Sequence, residues 1–484
     1  MNIGSEMQEI SSNNKRIAKN TLLLYFRMLV TMAVSLYTSR VVLNILGVED
    51  FGIYNVVGGI VAMFGFINGS MTSATQRYLT FELGQNNRAQ LTKVFSTSLS
   101  IHGIISFLII VLAETVGLWF LWNKMQIPAD RMNAAFWVFQ CSVAASVIMI
   151  MSVPYNAAII AHERMSAFAY ISIIEVSLKL LIVCFLRYFH TDKLILYAAL
   201  IVIVQFLIRL CYSWYCNRHF NETKYRWSWD KGLFKEMTGF ASWNMFGSLA
   251  AITFTQGLNL LLNMFFGPVV NAARGIAVQA QTAIGQFSSN FQTALNPQIT
   301  KSYATGDMEY MHGLIFRSAK FSFFLLLLLS LPVLIETKAI LTLWLKIVPD
   351  HTVVFLRIML CTTWVYAVSN PLITAASATG KIKLYQSVVG GLLLLILPIS
   401  YLCLRFGLPA YSVFIVHFVM EITAQFARLL MLRRMIRLSL REYFAKVIWS
   451  ISKVTAIALA VPLAVAYWQP GEGIWNLLTI CLIC

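Results

Sequence analysis

The sequence predicts an all-α polytopic membrane protein: two parallel six-helix bundles followed by one or two extra C-terminal transmembrane helices. Three observations carry that expectation. The 484 residues are 58% hydrophobic and only 12% charged, with a mean hydropathy of +0.71, far from the composition of a soluble domain. Long apolar stretches come in two sets of six, divided by one polar, basic, Trp-bearing segment at 217–235. The two sets also repeat each other's motifs at a nearly constant offset.

Residues 1–16 are polar, lack an apolar core and read as a cytoplasmic tail, so the first helix is expected to serve as the insertion signal. The N-terminal bundle is assigned to 17–216. Its first helix, 20–46, exceeds the ~20 residues a bilayer requires. Asn20, Arg27, Thr31, Ser35 and Thr38 fall within about 80° of one another at ~100° per residue, a narrow polar stripe on an apolar helix. The second helix, 51–83, carries Asn68, Thr72 and Gln76 in the same manner. Polar groups are costly against lipid, so these two seams are expected to face a shared interior. Helices at 91–122, 132–161, 166–187 and 194–216 complete the bundle.

Residues 217–235 form the cytoplasmic linker. The C-terminal bundle, 236–435, holds helices at 236–265, 268–300, 313–335, 352–379, 384–404 and 408–432. The remainder, 436–484, supplies a thirteenth helix near 445–467 and a partial fourteenth at 474–484. At about 17 Å of helix, that last piece is too short for a ~30 Å hydrocarbon core.

Placing the N-terminus in the cytoplasm puts Lys15, Arg16, Lys19, Arg88, Lys93, Arg164, Arg218, Lys224, Arg226, Lys231, Lys235, Lys301, Lys381, Lys383 and the run Arg433, Arg434, Arg437 and Arg441 on one side. The other side holds mainly Lys124, Arg131, Arg187, Lys193, Lys338, Lys346 and Arg405. The positive-inside rule selects that orientation, and the net charge of +17 reads as topology rather than as a nucleic-acid surface.

Ser152, Pro154, Ala158, Ala161 and Arg164 align with Ser369, Pro371, Ala375, Ala378 and Lys381 at an offset of 217. The same offset carries Arg27, Thr31 and Thr38 onto Asn244, Ser248 and Thr255. Asn68, Gln76 and Gly84 meet Asn290, Gln298 and Gly306 at 222. Three motifs in the same order argue for duplication. Six helices return each copy to the same side of the membrane, so the copies are expected to be parallel about an axis along the membrane normal. The first and second helices of each half would then line a central cavity, in the arrangement that alternating access requires.

The stretch from Ser39 through Gly47 to Tyr54, the run Ala74-Thr75-Gln76-Arg77-Tyr78-Leu79 and the run Asn296-Pro297-Gln298 resemble the polysaccharide-flippase branch of the multidrug/oligosaccharidyl-lipid/polysaccharide (MOP) exporter superfamily, with its Wzx-type O-antigen and capsule flippases. The likeness extends over the whole chain and implies a MATE-like fold in a bacterial cytoplasmic membrane. It also implies a function: moving undecaprenyl-diphosphate-linked oligosaccharide from the inner to the outer leaflet. Partners would be the polyprenyl-linked glycan, membrane lipids, and the polymerase and glycosyltransferases of the pathway. No cofactor is expected beyond a coupling H+ or Na+. The shortened fourteenth helix departs from the usual plan.

The in-span charges suit such a substrate. Cations are Arg27, Arg40, Lys179, Arg209, Arg274, Arg357 and Arg428; acids are Glu114, Glu175 and Glu421. A diphosphate calls for cations and hydrogen-bond donors along its route. Substrate contact is therefore expected from Arg27, Arg40, Arg274 and Arg357, with Thr31, Ser35, Asn68, Gln76, Asn244, Asn290 and Gln298 as neutral partners. Each has an alternative: Arg27 snorkelling to the inner headgroups, Arg40 an inter-helix or headgroup role, the amides bonding across helices. Glu175 and Lys179, spaced i, i+4, read as a self-neutralising pair. Glu114 and Glu421 either carry the coupling ion or pair with a basic neighbour, and Pro154 and Pro371 are candidate hinges. The seven histidines lack metal spacing, and no nucleophile triad or phosphate loop is present. Two other classes stay open: a cation-coupled drug exporter, and a membrane enzyme of glycan assembly.

Overall fold

Glycine and small capping residues punctuate an otherwise helical chain. The computed structural model describes residues 3–62, 65–123, 125, 127–186, 188–189, 191–224, 230–345 and 348–468; the side chains of Arg40 and Asn68, and the predicted partial helix at 474–484, lie outside the described set. Among the described residues every regular element is helical.

The elements are α1 (Ile3–Ala62), α2 (Gly65–Gly84), α3 (Arg88–Asn123), α4 (Met132–Ala161), α5 (Met165–Leu186), α6 (Lys193–His219), α7 (Lys231–Phe266), α8 (Pro268–Thr305), α9 (Met308–Ile335), the short α10 (Thr337–Leu345), α11 (Thr352–Ala378), α12 (Lys383–Arg405) and α13 (Ser412–Met435). A last rod, α14, joins Leu440–Tyr443, a π-turn at Phe444–Ile448, and Trp449–Trp468. Eleven spans among the described residues are long and apolar enough to cross a membrane. Neither α2 nor α8 is among them. The sequence predicts both as membrane helices: α8 is the second helix of the second set, and α2 is the later part of the one expected at 51–83, whose beginning lies at the end of α1.

The chain divides into two units, Met1–Met245 and Phe246–Cys484, with the division inside α7. Each unit repeats the same local solutions. Gly47 breaks α1 with φ 81° and ψ 171°; Gly267 joins α7 to α8 with φ 77° and ψ −173°. That region of backbone space is open essentially to glycine alone. Asn87 Oδ1 accepts from the Gln90 N–H to cap α3, and Asp307 Oδ1 from the Tyr310 N–H to cap α9, each satisfying an orphan donor of a first turn. Ser152 and Ser369 both donate to the carbonyl four residues back, two residues before Pro154 and Pro371. The turns that follow close on positive φ, at Glu163 (59°) and Gly380 (75°). The duplication read in the sequence is thus also present in the backbone.

Within the N-terminal unit, α1 packs on α5, and α4 lies against α2 and α6. A core of Ile53, Val57, Leu121, Val138 and Phe139 fills the end beyond Gly47. There α3 opens into a π-turn, Ala113–Gly117, where a Cβ on Gly117 would sit 2.7 Å from Phe139 Cζ, so only glycine lets the ring in. In the C-terminal unit, α11 is the central helix, flanked by α8, α9 and α13. Its core includes Leu258, Leu262, Phe355, Leu356 and Phe414. Large apolar side chains such as Leu22 (70% exposed), Phe107 (69%) and Leu260 (63%) face outward, as a lipid solvent permits.

Candidate functional site

The polar stripe of α1 begins on α5 and the turn before it. Asn20 Nδ2 donates to the Glu163 carbonyl at 3.2 Å, and the Arg27 guanidinium lies over the Phe168 ring, 4.6 Å from its centroid. Thr31 Oγ1 donates back to the Met28 carbonyl at 3.0 Å, and Ser35 is exposed. Arg27 is therefore placed between an aromatic face and the half-buried polar seam, with the cation–π contact orienting it.

On α2, Gln76 is half-buried, and its neighbours bind the unit together. Thr75 Oγ1 shares a 2.8 Å hydrogen bond with Ser98 Oγ. The Arg77 guanidinium lies within 4.4, 4.9 and 5.8 Å of the Tyr78, Phe81 and Phe240 rings. Tyr78 Oη donates to Glu236 Oε1 at 3.1 Å. The run Thr75 to Tyr78 thus fastens α2 to α3 and to the first turns of α7.

In the C-terminal unit the structure brings Arg274 onto the α7 stripe. Arg274 is 5% exposed and donates to the Thr255 carbonyl at 2.9 Å and to Asn259 Oδ1. Asn244, farther along the same stripe, is half-buried. Asn290 Nδ2 donates to the Gln286 carbonyl at 3.0 Å, and both Asn290 and Gln298 are buried. Arg357 spends its guanidinium on the end of α9, donating to Thr337 Oγ1 at 3.0 Å and to the Ile335 carbonyl at 3.1 Å. That satisfies a helix C-terminus and ties α11 to it.

The in-span carboxylates are committed to partners. Lys179 Nζ meets Glu175 Oε1 at 2.6 Å, Arg428 meets Glu421 at 2.7 Å, and Gln140 Nε2 donates to Glu114 at 3.2 Å. Arg428 and Glu421 are 3% and 5% exposed at the side chain. Their pair continues through Ser369 and Gln425 to Tyr443 of α14. Pro154 and Pro371 are both buried within their helices.

A cavity of about 400 Å³ lies inside this unit, bounded by α7, α8, α11 and α13. Gln281, Ser288 and Gln292 reach it from one face of α8, with Tyr366, His417 and the Glu421–Arg428 pair opposite. Sequence reasoning passed over Gln281 and Gln292. Their signal was present in the i, i+7, i+11 spacing of polar residues on a helix too polar to face lipid. No cluster of metal-ligating side chains occurs among the described residues.

The sequence profile described as "Polysaccharide biosynthesis protein" matches residues 17–303, more than half of the chain. The chain belongs to that family. A search of curated proteins by sequence gives no match. Solved structures similar to this member of the polysaccharide biosynthesis family are MOP-superfamily transporters. An outward-facing multidrug-resistance MATE family transporter of the MOP superfamily superimposes with a TM-score of 0.75 at 13% identity, over 88% of this chain and 96% of that one. A Vibrio cholerae MATE transporter in its bent form gives 0.74 at 17%, over 90% and 99%. A MOP-superfamily transporter from Pyrococcus furiosus gives 0.72 at 13%, over 88% and 96%. The fold is therefore that of MATE transporters, as the sequence resemblance implied.

Proposed function

We propose that this chain flips polyprenyl-diphosphate-linked oligosaccharide from the inner to the outer leaflet of a bacterial cytoplasmic membrane, for O-antigen or capsule assembly. The N-terminus is cytoplasmic in this reading. The observation that carries it is the balance of in-span charge. Glu175, Glu421 and Glu114 are each engaged by a side chain, whereas among the described residues Arg274 and Arg357 hydrogen-bond to neutral oxygens. A surplus of positive charge in a low-dielectric interior favours a diphosphate over an organic cation. The Pyrococcus furiosus relative is itself described as having a binding pocket of reversed polarity, suggesting a different function, so the fold tolerates pockets of either sign.

Arg27, Arg40, Arg274 and Arg357 remain the proposed cationic contacts, with the amides and hydroxyls of the polar seams serving the glycan. Alternating access opens the headgroup site to one side and then the other while the polyprenyl tail stays in lipid, with Pro154 and Pro371 as bending points. Coupling to H+ or Na+ belongs to the proposal; Glu421 and Glu114 would have to leave Arg428 and Gln140 to carry the ion. The chain works beside glycosyltransferases and a glycan polymerase, as a transporter and not an enzyme. The test is depletion of the protein followed by measurement of lipid-linked glycan on the cytoplasmic leaflet. Accumulation supports the proposal, and an unchanged distribution removes it.

A further inference from the structure

The face of α8 that borders the C-terminal cavity carries hydrogen-bonding groups the protein itself does not use. Gln281 Nε2 donates to the Met359 carbonyl at 3.2 Å and to Thr363 Oγ1 at 2.7 Å. Gln292 Nε2 donates to Ser322 Oγ and to the Ala367 carbonyl, both at 3.0 Å. Backbone carbonyls only accept, so these contacts fix which end of each amide is nitrogen. With both nitrogens so committed, Gln281 Oε1 and Gln292 Oε1 accept no hydrogen bond from the described residues. Between them, Ser288 Oγ is buried, at 4% residue exposure, and has no hydrogen-bond partner. An idle buried hydroxyl is unfavourable and calls for an explanation. Gly285, on the same face, leaves room: a Cβ there meets only Thr363 Cγ2, at 3.8 Å.

The geometry selects the ligand class. Gln281 and Gln292 are separated by about 16 Å along the helix at 1.5 Å per residue. A single cation, whose oxygen ligands sit at about 2.3–2.6 Å, cannot reach both. An anion is disfavoured because the idle groups are carbonyl oxygens, and the charged residues on the cavity wall, Glu421 and Arg428, neutralise each other. An elongated molecule rich in hydroxyl donors meets these requirements.

We propose that this stripe of α8 is a subsite for the uncharged, hydroxyl-rich part of a glycan, whose hydroxyls donate to Gln281 Oε1 and Gln292 Oε1 and pair with Ser288 Oγ. The inference rests on the reading of the substrate as a lipid-linked oligosaccharide. It adds a sugar subsite on α8 to the polar seams already proposed to serve the glycan, on side chains other than the arginines proposed for the diphosphate.

The test uses the full chain in nanodiscs. The probe is oligosaccharide released from the cell's own lipid-linked pool and freed of both lipid and phosphate, titrated calorimetrically beside the intact lipid-linked compound. Wild type is expected to bind the phosphate-free glycan. Ser288→Ala should weaken that binding by about three- to tenfold, the loss of one hydrogen bond, while thermal stability holds or rises because an idle buried hydroxyl is gone. A merely structural serine would not move the two readouts in opposite directions. Gly285→Leu, which fills the cavity, should abolish binding. Wild-type affinity in Ser288→Ala and Gly285→Leu overturns the subsite, as does a wild type that flips the intact compound yet ignores the phosphate-free glycan. Failure of wild type to bind or flip even the intact compound removes the flippase reading, and the subsite falls with it.

Discussion

Replacing Glu421 by Gln leaves Arg428 charged and buried without its counter-ion, and the geometry sets the cost. The two side chains are 3% and 5% exposed and meet at 2.7 Å. At an effective dielectric near 20, two unit charges at that separation attract by about 6 kcal/mol before desolvation is counted. Removing one partner of such a pair costs about 3–5 kcal/mol, because the remaining charge stays out of water. Arg428 keeps its 3.0 Å bond to Ser369 Oγ and has the Tyr385 hydroxyl as a neighbour, both neutral, so nothing beside it supplies the lost counter-charge. On the scale of a 150–250-residue domain, that loss lowers the unfolding temperature by about 6–20 °C. The assay is thermal unfolding of detergent-solubilised protein followed by size-exclusion chromatography. The double variant Glu421→Leu, Arg428→Met should recover most of the loss, since no charge is left stranded. A Glu421→Gln protein as stable as wild type but inactive would refute the structural pair and make Glu421 a coupling group.

Other predictions follow from single contacts. Arg357→Ala removes two charge-assisted bonds to the end of α9 and should cost about 2–4 kcal/mol in unfolding assays; it should also weaken binding of the diphosphate-linked compound while leaving affinity for the phosphate-free glycan unchanged. Gly47→Ala and Gly267→Ala each force a Cβ into the glycine-only region and should cost about 1–3 kcal/mol apiece, with comparable falls in unfolding temperature because the two junctions share one conformation. Glu222, beyond the end of α6, has its carboxyl raised by burial but more than offset by the His162 hydrogen bond at 2.5 Å, so that it lies below its ordinary value of 4.5. Its contribution is therefore complete above that value and lost as pH falls through the lower, folded-state one. Stability scans should show a steeper decline on acidification below about pH 4.5 in wild type than in Glu222→Gln.

The helices were legible because lipid demands long apolar runs, and the break at Gly47 because a two-helix pattern met there with almost no residues to spare. Polar seams mark the first and second helices of each set alike in the sequence; the stretches at Arg16–Ser35 and Lys231–Phe266 still count as apolar spans among the described residues, whereas α2 and α8 do not. What the sequence withheld was tertiary. Nothing local says that Arg274 turns onto Asn259 and Thr255, or that Arg357 caps a helix twenty residues earlier, because both depend on which helices become neighbours. The Glu421–Arg428 pair lay closer to view, since i and i+7 share a helix face, and pairing was one of the two roles the sequence allowed for Glu421. The π-turn at Ala113–Gly117 left no trace beyond the glycine that admits Phe139. Gln281 and Gln292 carry no repeat signal, because at the offset of 222 they fall on Gly59 and Ser70 rather than on amides, as Asn290 and Gln298 do.

The most direct measurement of the central claim is the leaflet distribution of diphosphate-linked oligosaccharide after depletion of the protein, with wild type or Arg27→Ala restored to equal membrane abundance. The flippase account predicts cytoplasmic-side accumulation that wild type relieves and Arg27→Ala does not. No accumulation on depletion would contradict the account outright; full relief by Arg27→Ala would contradict its cationic route.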